Sequence, residues 1–236
     1  MTGAERSGED RALHETRGEI STRGVREHYR RLAGSYDRGA NAACQRTYLE
    51  LLQRTLGGSR RVLEVGAGTA HLVSALPAPV KLACDLSIAM LRAGERGDVA
   101  CQVADAQRLP YADGSFDGAF AINLLEHLPD PARMLKELAR VLSPAGCFVA
   151  VTPNGDRERL LDLAERLHLK LPEGPHRFLT MRALSELAGE HFRVLEHRAF
   201  LAFPAGPGWW VRMLDRLLRA ETGRGLFQYL IAVRPD

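Results

Sequence analysis

Apolar and polar positions follow one another along this chain in short, punctuated runs. Seven runs rich in Val, Ala, Leu, Phe, Ile and Cys stand at residues 62–65, 80–84, 99–103, 116–122, 147–151, 192–197 and 227–233. Three are closed directly by Gly66, Asp85 or Asn123, and three more reach an Asp or Pro one residue later, which predicts buried strands. Between them the apolar residues recur at helical spacing. Val25, Tyr29, Leu32 and Tyr36 share one face, and Tyr48, Leu49, Leu51, Leu52 and Leu56 mark a second helix over 40–56, ended by Gly57-Gly58. Thr69 fits the N-cap of a helix carrying Leu72, Val73 and Leu76, and Ser87 that of a helix over 87–91. Pro131 fits the first turn of a helix to about 142, with Met134, Leu135, Leu138 and Leu142 inward, and 143–146 is the break before the fifth strand. Further helices are expected over 154–167, from the Thr180 cap to about 189, and over 209–219.

Strands alternating with helices predict an α/β chain with a mainly parallel sheet and helices on both faces. In such sheets ligands sit outside the carboxyl ends of the strands. Four groups follow strands one to four directly and so share that edge: Gly66-Ala67-Gly68, Asp85, Asp105, and Asn123 to His127. Strand, glycine turn and helix suit a ligand. Glycine lets it approach the backbone, and a helix start presents free N–H groups. Asp85 follows Glu64 at about the 20-residue interval at which an acidic residue meets ribose hydroxyls in nucleotide-binding βαβ units. The dinucleotide fingerprint Gly-x-Gly-x-x-Gly/Ala is a poorer fit, because His71 stands at its third position.

Composition narrows the picture. A net charge of +3 is too small to argue for a nucleic-acid partner. Cys44, Cys84, Cys101 and Cys147 form no Cys-x-x-Cys pair and suit small buried hydrophobes in a reducing compartment. Neither a membrane-spanning run nor an apolar signal core is visible, so a cytoplasmic location is expected. Residues 1–22 are polar and mixed in charge, which predicts a disordered tail ahead of a single domain over 23–236. The histidines and carboxylates near the sheet edge lack metal-ligand spacing such as His-x-x-x-His, so no metal is expected.

The stretch Glu64-Val-Gly66-Ala-Gly68-Thr-Ala70 resembles motif I of the class I S-adenosylmethionine-dependent methyltransferases, Glu/Asp-x-Gly-x-Gly-x-Gly, with Ala70 in place of the last glycine. Tyr36-Asp37 resembles the "YD" element of the small-molecule, quinone-methylating group. Asp85-Leu86-Ser-x-x-Met90-Leu91 and Asp105-Ala106-x-x-Leu109-Pro-Tyr-Ala-Asp-Gly-Ser-Phe-Asp117 are similar to later motifs of that group, the last nearly residue for residue. His176-x-x-x-Thr180 resembles its late His-x-Arg-x-Phe-Thr element.

The resemblance, over about 29–192, implies a Rossmann-like doubly wound sheet of seven strands. It is mostly parallel, its last strand is antiparallel and inserted beside the sixth, and cap segments at 23–56, 153–179 and 199–225 roof the site. It implies S-adenosylmethionine as cofactor and S-adenosylhomocysteine as product. Tyr36, Glu64, Gly66, Ala67, Gly68, Asp85, Leu86, Met90, Asp105, Ala106, Asn123 and Leu124 would hold the cofactor, with Asp105 accepting from the adenine amine. His127 and His176 would be candidate bases. Tyr29, His127, His176, Trp210 and Met213 would line the place of a small, largely apolar acceptor, methylated at oxygen or carbon. The apolar face of 209–219 is the ground for an apolar acceptor, and the same face would suit peripheral contact with a membrane. Monomer and homodimer both stay open, as does an alternative in which the chain binds the cofactor without transferring its methyl group.

Overall fold

The structure is a computed structural model that describes residues 20–34, 36, 42–95, 97–161, 174–200 and 225–236. Its elements run α1 (Thr22–Leu32), α2 (Ala42–Leu56), β1 (Arg61–Val65), α3 (His71–Ser74), β2 (Val80–Asp85), α4 (Ile88–Ala93), β3 (Ala100–Val103), β4 (Phe116–Ile122), α5 (Pro131–Val141), β5 (Leu142–Pro153), α6 (Met181–Gly189), β6 (Arg193–Phe200) and β7 (Phe227–Val233). The seven strands make one sheet in the order β3-β2-β1-β4-β5-β7-β6. β1 pairs parallel to β2 and β4, β2 to β3, and β4 to β5, while β7 runs antiparallel to both β5 and β6. This is the expected topology, the last strand lying between the fifth and the sixth.

Both sheet faces are covered, and the period-2 alternation of each strand divides its residues between two cores. Leu63, Val65, Ala119, Ala121, Phe148, Ala150 and Leu230 pack with Met134, Leu135 and Leu138 of α5 and Leu184 of α6. Val62, Phe120, Val149, Val151 and Ile231 pack with Leu52 and Leu56 of α2 and Val73 of α3. Glu64 shares the second face with Val62, so the pleat itself drives a carboxylate into the interior.

Caps set most of the helix starts. Ser21 caps α1 through Gly24 N–H, Ser87 caps α4 through Met90, Asp130 caps α5 through Arg133, and Thr180 caps α6 through Ala183. Helix α1 therefore begins at Thr22, inside the stretch expected to be tail. Thr69 is not a cap. Helix α3 starts from Ala70, whose φ of 60° is left-handed and which makes no side-chain cap bond. The expected break at 143–146 takes the form of a bulge inside β5: the strand begins at Leu142, but its register on β4 jumps from Leu142 to Cys147, its pairing with β7 starts at Cys147, and Ala145 takes a left-handed φ of 57°. Asn154, expected to open a helix, is buried, bonds Gly225 O through Nδ2 and caps a short 3-10 turn, Gly155–Arg157, after which residues 158–161 are helical. β6 runs to Phe200, beyond the expected end at 197.

The run from Leu109 to Asp117, the most specific sequence signal, is a brace. Arg140 of α5 donates to the carbonyls of Leu109 and Tyr111 and to the Asp113 carboxylate, while Glu137 accepts from Leu109 N–H. Asp117 accepts from Arg60 and Arg61 N–H and so fixes the start of β1 beside β4. Among the described residues no helix is long and apolar enough to cross a membrane.

Candidate cofactor and acceptor site

The carboxyl ends of β1, β2, β3 and β4 open into a cleft bordered by Gly66, Asp85, Asp105, Asn123 and Tyr29. Its floor is the turn after β1. Gly66 (φ 70°) and Gly68 (φ 54°) both take left-handed backbone, which favours glycine. Gly66 and Ala67 donate their N–H groups to Cys84 O at 2.8 and 2.9 Å, which ties this turn to the end of β2. A Cβ on Gly68 would stand 3.2 Å from Met90 Cε and 3.8 Å from the Tyr36 ring, so its absence keeps open the space between them.

Asp85 braces the same turn. Its Oδ2 accepts from Gly68 N–H at 2.9 Å and its Oδ1 from Ser87 N–H at 2.7 Å. Burial raises its pKa, and the two N–H bonds oppose that rise. Each carboxylate oxygen has a second lone pair, so Asp85 can brace the backbone and still accept from a ligand hydroxyl. Leu86, Ser87 and Met90 continue the wall. Asp105 follows β3, and its Oδ1 accepts from both the backbone and the side-chain N–H of Gln107. Gln107 was not singled out by the sequence, although an Asp bonding the N–H two residues on is an ordinary turn signal. Ala106 and Gln107 complete this end.

The far wall comes from the segment after β4 and from α1. Asn123 takes a φ of 51°, and its Oδ1 is buried without a hydrogen-bond partner among the described residues. The Leu124 side chain lies where a Cβ on Gly66 would fall, 2.7 Å away. His127 is 2% exposed, so its ring is all but out of a ligand's reach. Its Nδ1 lies 2.9 Å from Pro175 O and its Nε2 2.9 Å from Tyr29 Oη. A carbonyl only accepts, so Nδ1 carries the proton, and the neutral ring then accepts the Tyr29 O–H at Nε2. Tyr29 lines the cleft, edge-on to Tyr36 with centroids 6.1 Å apart. His176 stands behind His127, centroids 6.4 Å apart. It stacks on Phe178 and donates from Nδ1 to Gly174 O, and it does not line the cleft.

Glu64 and Ala67 lie across the glycine turn in a neighbouring cavity, with Gln45 and Tyr48 of α2; Tyr36, Gly66, Gly68 and Asn123 border both spaces. Glu64 Oε2 accepts from Val73 N–H at 3.1 Å, taking the place at the start of α3 expected of Thr69. Burial pushes its pKa up to about 8. Among the expected site residues, then, Tyr29, Tyr36, Gly66, Gly68, Asp85, Leu86, Met90, Asp105, Ala106, Asn123, Leu124 and His127 meet on one cleft. Asp37, Trp210, Met213 and the helix expected over 209–219 lie outside the described residues. Among those described, no cluster of His, Cys, Asp and Glu could hold a metal ion.

Residues 63–150 match a family model described as a methyltransferase domain. Over 96 residues the chain is 41% identical to a demethylmenaquinone methyltransferase of Mycobacterium sp. (strain KMS), covering 40% of this chain and 42% of that relative. Over 98 residues it is 38% identical to a chloroplastic tocopherol O-methyltransferase of Arabidopsis thaliana, covering 41% of this chain and 27% of that one. The matches thus span less than half the length of these curated relatives. A SAM-dependent methyltransferase from Thermotoga maritima shares the fold, with a TM-score of 0.69 at 22% identity over 89% of this chain and 99% of that one. Motif I and both acidic positions thus stand on one cleft at the carboxyl edge of a 3-2-1-4-5-7-6 sheet, and the central segment of the chain, residues 63–150, is similar to the methyltransferase domain that the model describes.

Proposed function

We propose that this chain transfers a methyl group from S-adenosylmethionine to a small, largely apolar acceptor, at oxygen or carbon, and releases S-adenosylhomocysteine. The observation that carries the reading is the convergence of Gly66–Gly68, Asp85 and Asp105 on a single cleft from three successive strands. The cleft suits the cofactor chemically. Two carboxylates are there that would accept from ribose hydroxyls and an adenine amine, the Gly68 face lacks the Cβ that would fill it, and the buried Asn123 Oδ1 has no hydrogen-bond partner among the described residues. Asp85 would hold the ribose, Asp105 the adenine amine, and Leu86, Met90 and Ala106 the faces of the base. Gly66 to Gly68 would run beside the amino-acid end, with Glu64, Asn123 and Tyr36 around it.

Bound there, S-adenosylmethionine supplies an already activated methyl on a sulfonium. What is left for the chain is alignment and exclusion of water, and alignment alone can be worth about 7–11 kcal/mol. Tyr29 and Tyr36 of the cap and Leu124 and Leu128 of the wall give the acceptor end its apolar and aromatic surface. The two curated relatives are named for demethylmenaquinone and tocopherol, both apolar, which supports an acceptor of that kind. We place the enzyme in the cytoplasm, where its thiols stay reduced. The test is incubation with S-adenosylmethionine and a panel of phenols, quinols and aliphatic amines, with mass spectrometry of the products. Methylation within the apolar phenol and quinol group is expected. Methylation confined to the polar amines would overturn the assignment of the acceptor.

A further inference from the structure

We infer that Tyr29 and His127 act together as a proton-accepting pair facing the acceptor, whose nucleophile is therefore a hydroxyl group; this rests on the cleft being a site of methyl transfer. The two residues are 98 positions apart and meet at 2.9 Å in the cleft wall. Each lacks half of what a base needs. His127 has the basic nitrogen, fixed at Nε2 because Pro175 O holds the Nδ1 proton, but at 2% exposure it offers a substrate almost no surface. Tyr29 is only partly buried and lines the cleft, but a phenol alone is a poor proton acceptor near neutral pH. Joined, they present a phenol oxygen to the cleft with a lone pair behind it to receive the phenol's proton. The surrounding wall of Tyr36, Leu124 and Leu128 suits an aromatic or isoprenoid body beside Tyr29.

The acceptor oxygen bonds the methyl carbon as the carbon–sulfur bond breaks, the electron pair staying on sulfur. The acceptor's proton passes to Tyr29 Oη and the Tyr29 proton to His127 Nε2. The positive charge that began on sulfur ends on the imidazolium, whose N–H groups face Pro175 O and Tyr29 Oη, and its proton passes to water as product leaves. The titratable groups around the pair are His28, edge-on to Tyr29 at 5.2 Å, Tyr36, His176 and the adjoining Glu126. Tyr29 is the catalytic residue; His127 acts through it.

The test compares wild type with Tyr29→Phe and His127→Gln, using 2-naphthol and catechol as acceptor probes and S-adenosylhomocysteine as binding probe. Tyr29→Phe removes one oxygen and leaves the ring, so the fold should hold. It is expected to keep the S-adenosylhomocysteine Kd within about threefold while kcat falls about 100-fold or more, the scale of general-base catalysis, with KM little changed. The wild-type rate is expected to fall at low pH with a one-proton limb that is absent in His127→Gln. Full kcat in Tyr29→Phe, methylation at carbon, or no methylation of either phenol by a protein that binds S-adenosylhomocysteine would each overturn the pair. Failure of the wild type to bind S-adenosylhomocysteine would instead overturn the cofactor reading.

Discussion

Replacing Glu64 with Gln should remove a pH-dependent weakness from the fold. Glu64 is 4% exposed, on the face of β1 turned toward α2 and α3. Burial lifts its pKa from 4.5 to about 8, opposed by the Val73 N–H bond and helped by the nearby Asp85 charge. The folded pKa thus lies above the unfolded one. Between these values the folded chain keeps a proton that the unfolded chain has released, so stability falls as pH rises from 4.5 to about 8 and is level beyond. At 1.36 kcal/mol per unit, that window corresponds to roughly 5 kcal/mol. A glutamine keeps an oxygen for Val73 N–H and has nothing to ionise. Urea unfolding followed by circular dichroism, at about pH 5 and about pH 9, reads the difference. The variant should gain on the wild type by several kcal/mol between the two conditions. Parallel stability curves would refute the reasoning, since they would mean that Glu64 ionises alike in folded and unfolded chains.

Asp85→Asn removes a charged acceptor from the Gly68 and Ser87 N–H groups, and calorimetry should show S-adenosylhomocysteine binding weakened by about 1–3 kcal/mol. Gly68→Ala places a methyl 3.2 Å from Met90 Cε on left-handed backbone. It should cost about 1–2 kcal/mol in urea unfolding and more than that in cofactor affinity, because the methyl stands in the cleft. Arg140→Lys replaces a planar fork that holds two carbonyls and two carboxylates with a point charge. Amide exchange should speed up over residues 109–113 while S-adenosylhomocysteine affinity stays the same.

The sheet was legible because its central strands are compact apolar runs closed by a polar or turn residue, and because Asp85, Asp105 and Asn123 stand at the ends of theirs. The order of the last three strands came from the resemblance to the methyltransferases and not from any local pattern. Local errors share a cause: a backbone demand met from a distance. Thr69 has the chemistry of a cap, but two left-handed residues, Gly68 and Ala70, flank it, and Glu64 supplies the acceptor from the preceding strand. Ser143-Pro-Ala-Gly146 does interrupt the ladder, but as a bulge within β5, held from far along the chain by the Ala145 N–H on Arg234 O. The motif around Leu109 to Asp117 was legible as a signal but not as a brace, because its partner Arg140 lies in a helix that sequence patterning treats separately. Tyr29 and His127 were each legible as candidates. Their hydrogen bond was not, since nothing in either neighbourhood records a contact 98 residues away.

The account turns on what the cleft between β1, β2 and β3 binds. Calorimetric titration of the full chain with S-adenosylhomocysteine and, separately, with NAD tests this directly. One-to-one saturable binding of S-adenosylhomocysteine, weakened in Asp105→Ala and with no heat from NAD, is the expected result. Saturable binding of NAD with none of S-adenosylhomocysteine would contradict it.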